Sequence, residues 1–288
     1  MANIYLCSTL LWNASLEEIF NLACQSGLDG IELWAQHFFH REYDVGEFEK
    51  LAALYPIKSC VHSQSWDLNL ASMNEGIRKQ SVIEVEKSIE LAYRLGLDEV
   101  TVHPGHRTIP GAGAPYEAYL RESLQEILEY AQKRQIDVSL EIMEKIPKEF
   151  VTTMDAMKAV CGDLFDQFVY TLDVAHCDSE EEVLSTLQNY RSRISKLHIS
   201  NRKGPKFHTP LNEGDYDMEK LLPELARYNL PMVIEGLDSS GDFSTAKQNI
   251  RFIQNIFNGG NQNEKEICSN FNRRTGSRRS GRMSEQFC

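Results

Sequence analysis

Eight short apolar runs alternate with eight helical stretches along this chain, and six of the runs stop at a histidine or an acid. A strand buried along its whole length has no water to solvate a carboxylate, so an ionisable residue belongs at its exit. The run Phe168 to Leu172 shows the pattern: it ends at Asp173, and His176 follows in the loop just beyond. Strict strand–helix alternation leaves few folds open, and a parallel sheet closed into a barrel is the one that uses eight units.

The expected strands are Ile4–Cys7, Gly30–Trp34, Ile57–Val61, Val100–Val102, Val138–Leu140, residues 168–172, Ile194–Leu197 and Pro231–Ile234. Between them, Ser15-Leu16-Glu17-Glu18 forms a capping box that starts a helix, and Gly27 stops it. Further helices are expected near Val45–Leu54, Asn74–Leu95, Tyr116–Lys133, Thr153–Val160, Glu180–Leu187, Asp217–Tyr228 and Thr245–Phe257. The aromatic and histidine-rich stretch Gln36 to Tyr43, and the stretch holding Lys203-Gly204-Pro205, are expected as loops. The α/β class, and a single-domain (β/α)8 TIM barrel over residues 1–258, follow; 288 residues suit that size. Residues 259–288 are rich in Asn, Gly, Ser and Arg and carry six basic and three acidic side chains. They are expected to form a disordered basic tail, solvated rather than a nucleic-acid arm.

Bulk chemistry narrows the partners. A formal charge of −12 repels polyanions, which disfavours nucleic acid as a partner. Seven scattered cysteines without a CxxC pair suit reduced thiols in a cytoplasmic protein. No apolar stretch approaches the length of a membrane span, and no signal core opens the chain. Oligomeric state stays open.

The strand endings are His62, His103, Glu141, Asp173, His198 and Glu235. In a (β/α) barrel every strand opens its C-terminal tip onto one mouth, so these six converge. Three desolvated carboxylates repel one another unless a cation joins them. Glu141, Asp173, His198 and Glu235 are therefore expected to hold a divalent metal, a hard, oxygen-rich site for Mn²⁺, Mg²⁺ or Co²⁺, with Zn²⁺ if further histidines join. His62 and His103 are either additional ligands or hydrogen-bonding partners of a substrate at the mouth. Arg202, Lys203 and Lys206 could grip a phosphate or sugar hydroxyls, or simply face solvent. Trp34, with His37, Phe38, Phe39 and His40, could wall a sugar face, or pack loops together.

Gly30-Ile31-Glu32-Leu33-Trp34, His103-Pro104-Gly105, Glu141, Asp173-Val174-Ala175-His176, His198-Ile199-Ser200-Asn201 and Ile234-Glu235-Gly236, in this order and spacing, resemble the xylose isomerase-like TIM barrel superfamily. The resemblance covers residues 1 to about 257 and extends to sugar isomerases, epimerases and the endonuclease IV enzymes. It implies that Glu141, Asp173, His198 and Glu235 are the four ligands of one metal. It further implies that Glu141 and Glu235 are the catalytic acid–base pair of an isomerase or epimerase of a small keto-sugar, keto-polyol or sugar phosphate. His62, His103, His176, Arg202, His208 and Trp34 would then face the substrate. A metal-dependent dehydratase of a cyclic hydroxyketone would use the same parts. His62 with Asn69-Leu70-Ala71-Ser72, and His208 with Leu211-Asn212-Glu213-Gly214, are similar to endonuclease IV motifs, which implies a rival zinc phosphodiesterase acting at abasic DNA. Lys206 stands where that family has an aspartate, and the spacing from His62 to Asn69 is one residue long for its motif, so a third metal is not expected.

Overall fold

The computed structural model describes residues 2–109, 111 and 115–258; the expected basic tail, with Cys268 and Cys288, lies outside the described residues. Ten strands occur among them: β1 (Asn3–Cys7), β2 (Gly30–Trp34), β3 (Lys58–His62), β4 (Glu99–Val102), β5 (Asp137–Ile142), β6 (Val169–Asp173), β7 (Ile194–Ile199), β8 (Asn201–Lys203), β9 (Lys206–Thr209) and β10 (Pro231–Ile234). Eight of them close into a barrel in the order β1-β10-β7-β6-β5-β4-β3-β2, every pairing parallel. The chain is a TIM barrel. Helices return the chain from each barrel strand to the next, and their apolar stripes face the sheet. Leu120, Leu124, Ile127 and Leu128 do so on the helix Tyr116–Gln132.

Local chemistry sets the element ends. Ser15 Oγ accepts from the Glu18 backbone while the Glu18 carboxylate accepts from Ser15 N at 2.7 Å, the reciprocal pair anticipated from four residues of sequence. Asn74 caps the helix Glu75–Arg94, and Asp217 caps Met218–Ala226. Among the described residues, Cys7, Cys60, Cys161 and Cys177 are buried free thiols and Cys24 is half-buried. No described helix is long and apolar enough to cross a membrane.

Two expected loops are structured. Residues 36–43 open with the helix Ala35–His40, which buries Ala35, His37 and Phe38. Tyr43 then pins the exit, its hydroxyl donating to Ala14 O at 2.6 Å. The chain after β7 forms an antiparallel hairpin, β8 with β9, turned at Gly204 with φ +55°. Glycine accepts that backbone without strain, and alternation alone does not register a hairpin added outside the barrel.

Candidate metal centre

Parallel register delivers the strand tips to one level. Asp173 and His198 are Cα partners across β6 and β7, and Val233, two residues before Glu235, pairs with His198 across β10. Glu141, Asp173, His198 and Glu235 present ligand atoms all within 4.8 Å of one another, each side chain buried. His198 Nδ1 stands 3.0 Å from Glu235 Oε2 and 3.4 Å from Glu141 Oε2.

Glu141 Oε1, Asp173 Oδ2, His198 Nδ1 and Glu235 Oε2 are buried and meet no hydrogen-bond partner of acceptable geometry. Buried polar atoms are seldom left so, and each orphan costs on the order of 1–3 kcal/mol. One divalent cation among these four side chains would relieve that cost, since each offers a ligand atom within 4.8 Å of the others, and the three-carboxylate, one-imidazole set fits a hard ion. The residues present therefore fit the metal.

The electrostatics point the same way. Burial, and then Glu235 beside it, raise the Asp173 carboxyl, since two carboxylates in one dry pocket resist ionising together. Burial opposes charge on His198, yet Glu235, Glu32 and Glu141 overcome it and raise the imidazole well above its ordinary value. The pocket demands positive charge.

Two further groups come together. His62, His103 and Glu141 form one, and Asp173, His176 and His208 the other. His62 Nε2 and His103 Nε2 lie 3.4 and 3.3 Å from Glu141 Oε2. His176 Nδ1 stands 2.8 Å from Ile142 O, and its Nε2 faces His208 Nε2 at 3.4 Å. His208 has φ +54°, an uncommon backbone for a non-glycine residue, and the side chain reaches Ser200 Oγ at 3.1 Å. Lys206 is exposed on β9.

The centre opens into a cavity of about 1160 Å³ lined by Trp34, His103, Glu141, His176, His208 and Glu235 among others. Trp34 stacks on His62, with ring centroids 3.8 Å apart, and its buried indole N–H lacks a partner. Arg202 is placed elsewhere. Its guanidinium donates to Cys177 O and Gly204 O and lies over Phe207, while Arg107 and Lys148 are the cations on the cavity wall. His37 is structural: its Nε2 stands 3.0 Å from Trp12 O, and burial pushes it down to about 4.

Sequence reasoning passed over Glu32, which lies in the barrel interior beside His198, and Lys196, which lies beside Glu32. The available signal was a charge inside an apolar strand, Ile31-Glu32-Leu33, and a lysine two residues before a site histidine, which puts both on one face. It also passed over Trp66, Glu144 and Glu149, which long loops bring to the cavity wall.

Comparison with known proteins agrees with this architecture. A protein of Methanocaldococcus jannaschii, itself uncharacterised, is 29% identical over 189 residues, and the match spans 62% of this chain and 64% of that one. The fructoselysine 3-epimerase of Shigella flexneri is 23% identical over 224 residues, 73% of this chain and 80% of that enzyme. Among solved structures, a D-tagatose 3-epimerase-like protein superposes with a TM-score of 0.72 at 24% identity, covering 90% of this chain and 98% of that one, a likeness of fold. The family model described as xylose isomerase-like TIM barrel matches residues 20–256. With a closed eight-stranded barrel and that match across most of its length, the chain belongs to the xylose isomerase-like TIM barrel family.

Proposed function

We propose that the chain is a divalent-metal-dependent sugar epimerase or isomerase that moves a proton at the carbon beside a ketone. The observation that carries this reading is the group of four orphaned ligand atoms, with two glutamates, Glu141 and Glu235, entering from strands three places apart around the rim. The curated likeness to a fructoselysine 3-epimerase supports a sugar as substrate.

Glu141, Asp173, His198 and Glu235 would hold the ion. Bound there, a divalent cation supplies Lewis-acid polarisation of a carbonyl, an effect worth several kcal/mol. Epimerisation needs one group to remove a proton from one face of the carbon and another to return one to the opposite face. Glu141 and Glu235 both line the cavity and meet that need, one removing the proton and the other returning one. His103, His176 and His208 offer ring nitrogens to substrate hydroxyls, and the unpartnered Trp34 N–H offers a donor. Trp34 and Trp66, with ring centroids 5.8 Å apart, give the sugar an apolar wall.

Deuterium exchange tests the reading. A panel of keto-sugars incubated in D₂O with Mn²⁺ should gain deuterium beside the carbonyl, and Glu235→Gln should slow that by roughly 10²–10⁴-fold. No exchange across the panel with the parent enzyme would remove it. A second reading, a multinuclear zinc phosphodiesterase acting at abasic DNA, draws on the two additional histidine groups. Metal stoichiometry separates the two: one ion per chain is expected, whereas two or three zinc ions with chelator-sensitive incision of abasic DNA would favour the nuclease.

A further inference from the structure

His198 has two ring nitrogens, and they face opposite ways. Nδ1 is turned to Glu235 and Glu141, while Nε2 lies 3.1 Å from Glu32 Oε2. An imidazole that gives one nitrogen to a metal carries its proton on the other, and in a dry interior that proton needs an acceptor. Glu32 Oε2 lies 3.1 Å from Nε2 without the alignment of a hydrogen bond, and neither atom has a hydrogen-bond partner elsewhere, so each is free to serve the other.

Glu32 is itself secured. It is fully buried midway along β2, where an unpaired carboxylate would be expelled or neutralised. Thr101 on β4 donates to its Oε1 at 3.1 Å, and Lys196 Nζ on β7 stands 3.4 Å from the same oxygen. Lys196 is only 2% exposed and also binds Glu99, at the start of β4. The chain of contacts runs Glu99–Lys196–Glu32–His198 across the barrel interior, joining β4, β7 and β2 to the centre. A carboxylate kept only to neutralise Lys196 would be superfluous, because Glu99 already pairs with that lysine.

We propose that Glu32 is a positioning residue of the metal centre: by accepting the proton of His198 Nε2 it fixes the tautomer and ring orientation that present Nδ1 to the ion, with Lys196 holding Glu32 in place. This rests on the metal reading above and adds a residue that touches neither ion nor substrate.

Mn²⁺ titration by calorimetry, with unfolding midpoints measured alongside, tests it. Glu32→Ala should weaken Mn²⁺ binding by about 10–100-fold, the usual scale for losing such a partner. Glu32→Gln, which keeps an acceptor oxygen, should recover part of that loss. Nitrogen-15 NMR of histidine in the Mg²⁺-loaded parent needs no variant, and should show His198 protonated at Nε2. Parent-like Mn²⁺ affinity in a folded Glu32→Ala protein, or a proton on Nδ1 of His198, would overturn the positioning role alone. A parent protein that binds no divalent ion would remove the metal centre and this proposal together.

Discussion

Glu149 lies buried on the cavity wall close to Glu144, and its environment disfavours its charge. Burial first, and the Glu144 carboxylate second, push its carboxyl from the ordinary 4.5 up to about 7. The folded state thus holds that proton more tightly than the unfolded chain. The associated stability is fully present below about pH 4.5 and is lost as the pH rises through about 7. Glu149→Gln should therefore gain on the parent between pH 5 and pH 8, by at most about 3 kcal/mol. Urea unfolding midpoints at the two pH values check this, and parallel curves for the two proteins would refute the burial argument. The site glutamates stand in a different situation. Glu141 is buried as deeply, but His198 and His103 outweigh burial and hold it well below the usual carboxylate range.

At the scale of elements, the loop after β4 carries His103 and is fitted tightly to its neighbour. Gly105 has φ +88°, and a β-carbon there would come within 2.8 Å of Leu70 N and 2.9 Å of Ala71 N. Asn69 stitches the same junction, donating to His106 O at 2.9 Å and accepting from His106 N at 3.0 Å. Gly105→Ala should cost at least ~1–2 kcal/mol from backbone conformation, with the close contact adding to it. It should also shift His103, two residues upstream. A thermal unfolding midpoint equal to the parent's would show that the junction yields. A helix and a hairpin that stand where sequence predicts loops belong to this scale as well. The helix Ala35–His40 is held by burial of His37 and Phe38, and the β8–β9 hairpin by Asn201, whose amide donates to Leu211 O and Tyr216 O. Both are fixed by contacts with distant residues, to which local periodicity is blind.

For the whole molecule, an ion held by Glu141, Asp173, His198 and Glu235 would be a fastening across four strands. An ion that binds the folded chain alone stabilises it by about 2.7 kcal/mol at a hundred times its Kd. For a barrel of this size that raises Tm by roughly 5–10 °C. Saturating Mn²⁺ should give such a rise, EDTA should reverse it, and Asp173→Asn should abolish most of it, all read by calorimetry. A parent Tm indifferent to Mn²⁺ would contradict the centre. The charge of −12 acts over the same scale, favouring cations and opposing a duplex backbone at the mouth.

Sequence by itself determined the barrel and the identity of its rim. Period, capping residues and strand length are local, and a parallel barrel brings any residue at a strand's exit to one mouth, so Glu141, Asp173, His198 and Glu235 could be named before their coordinates. Tertiary structure decided what surrounds them. Glu32 meets His198 and Lys196 through barrel closure, the wall residues Trp66 and Glu149 arrive on loops, and Arg202 turns away because Cys177 O, Gly204 O and the Phe207 ring take its guanidinium. Which way a side chain turns depends on partners far along the chain, and only the folded packing supplies those.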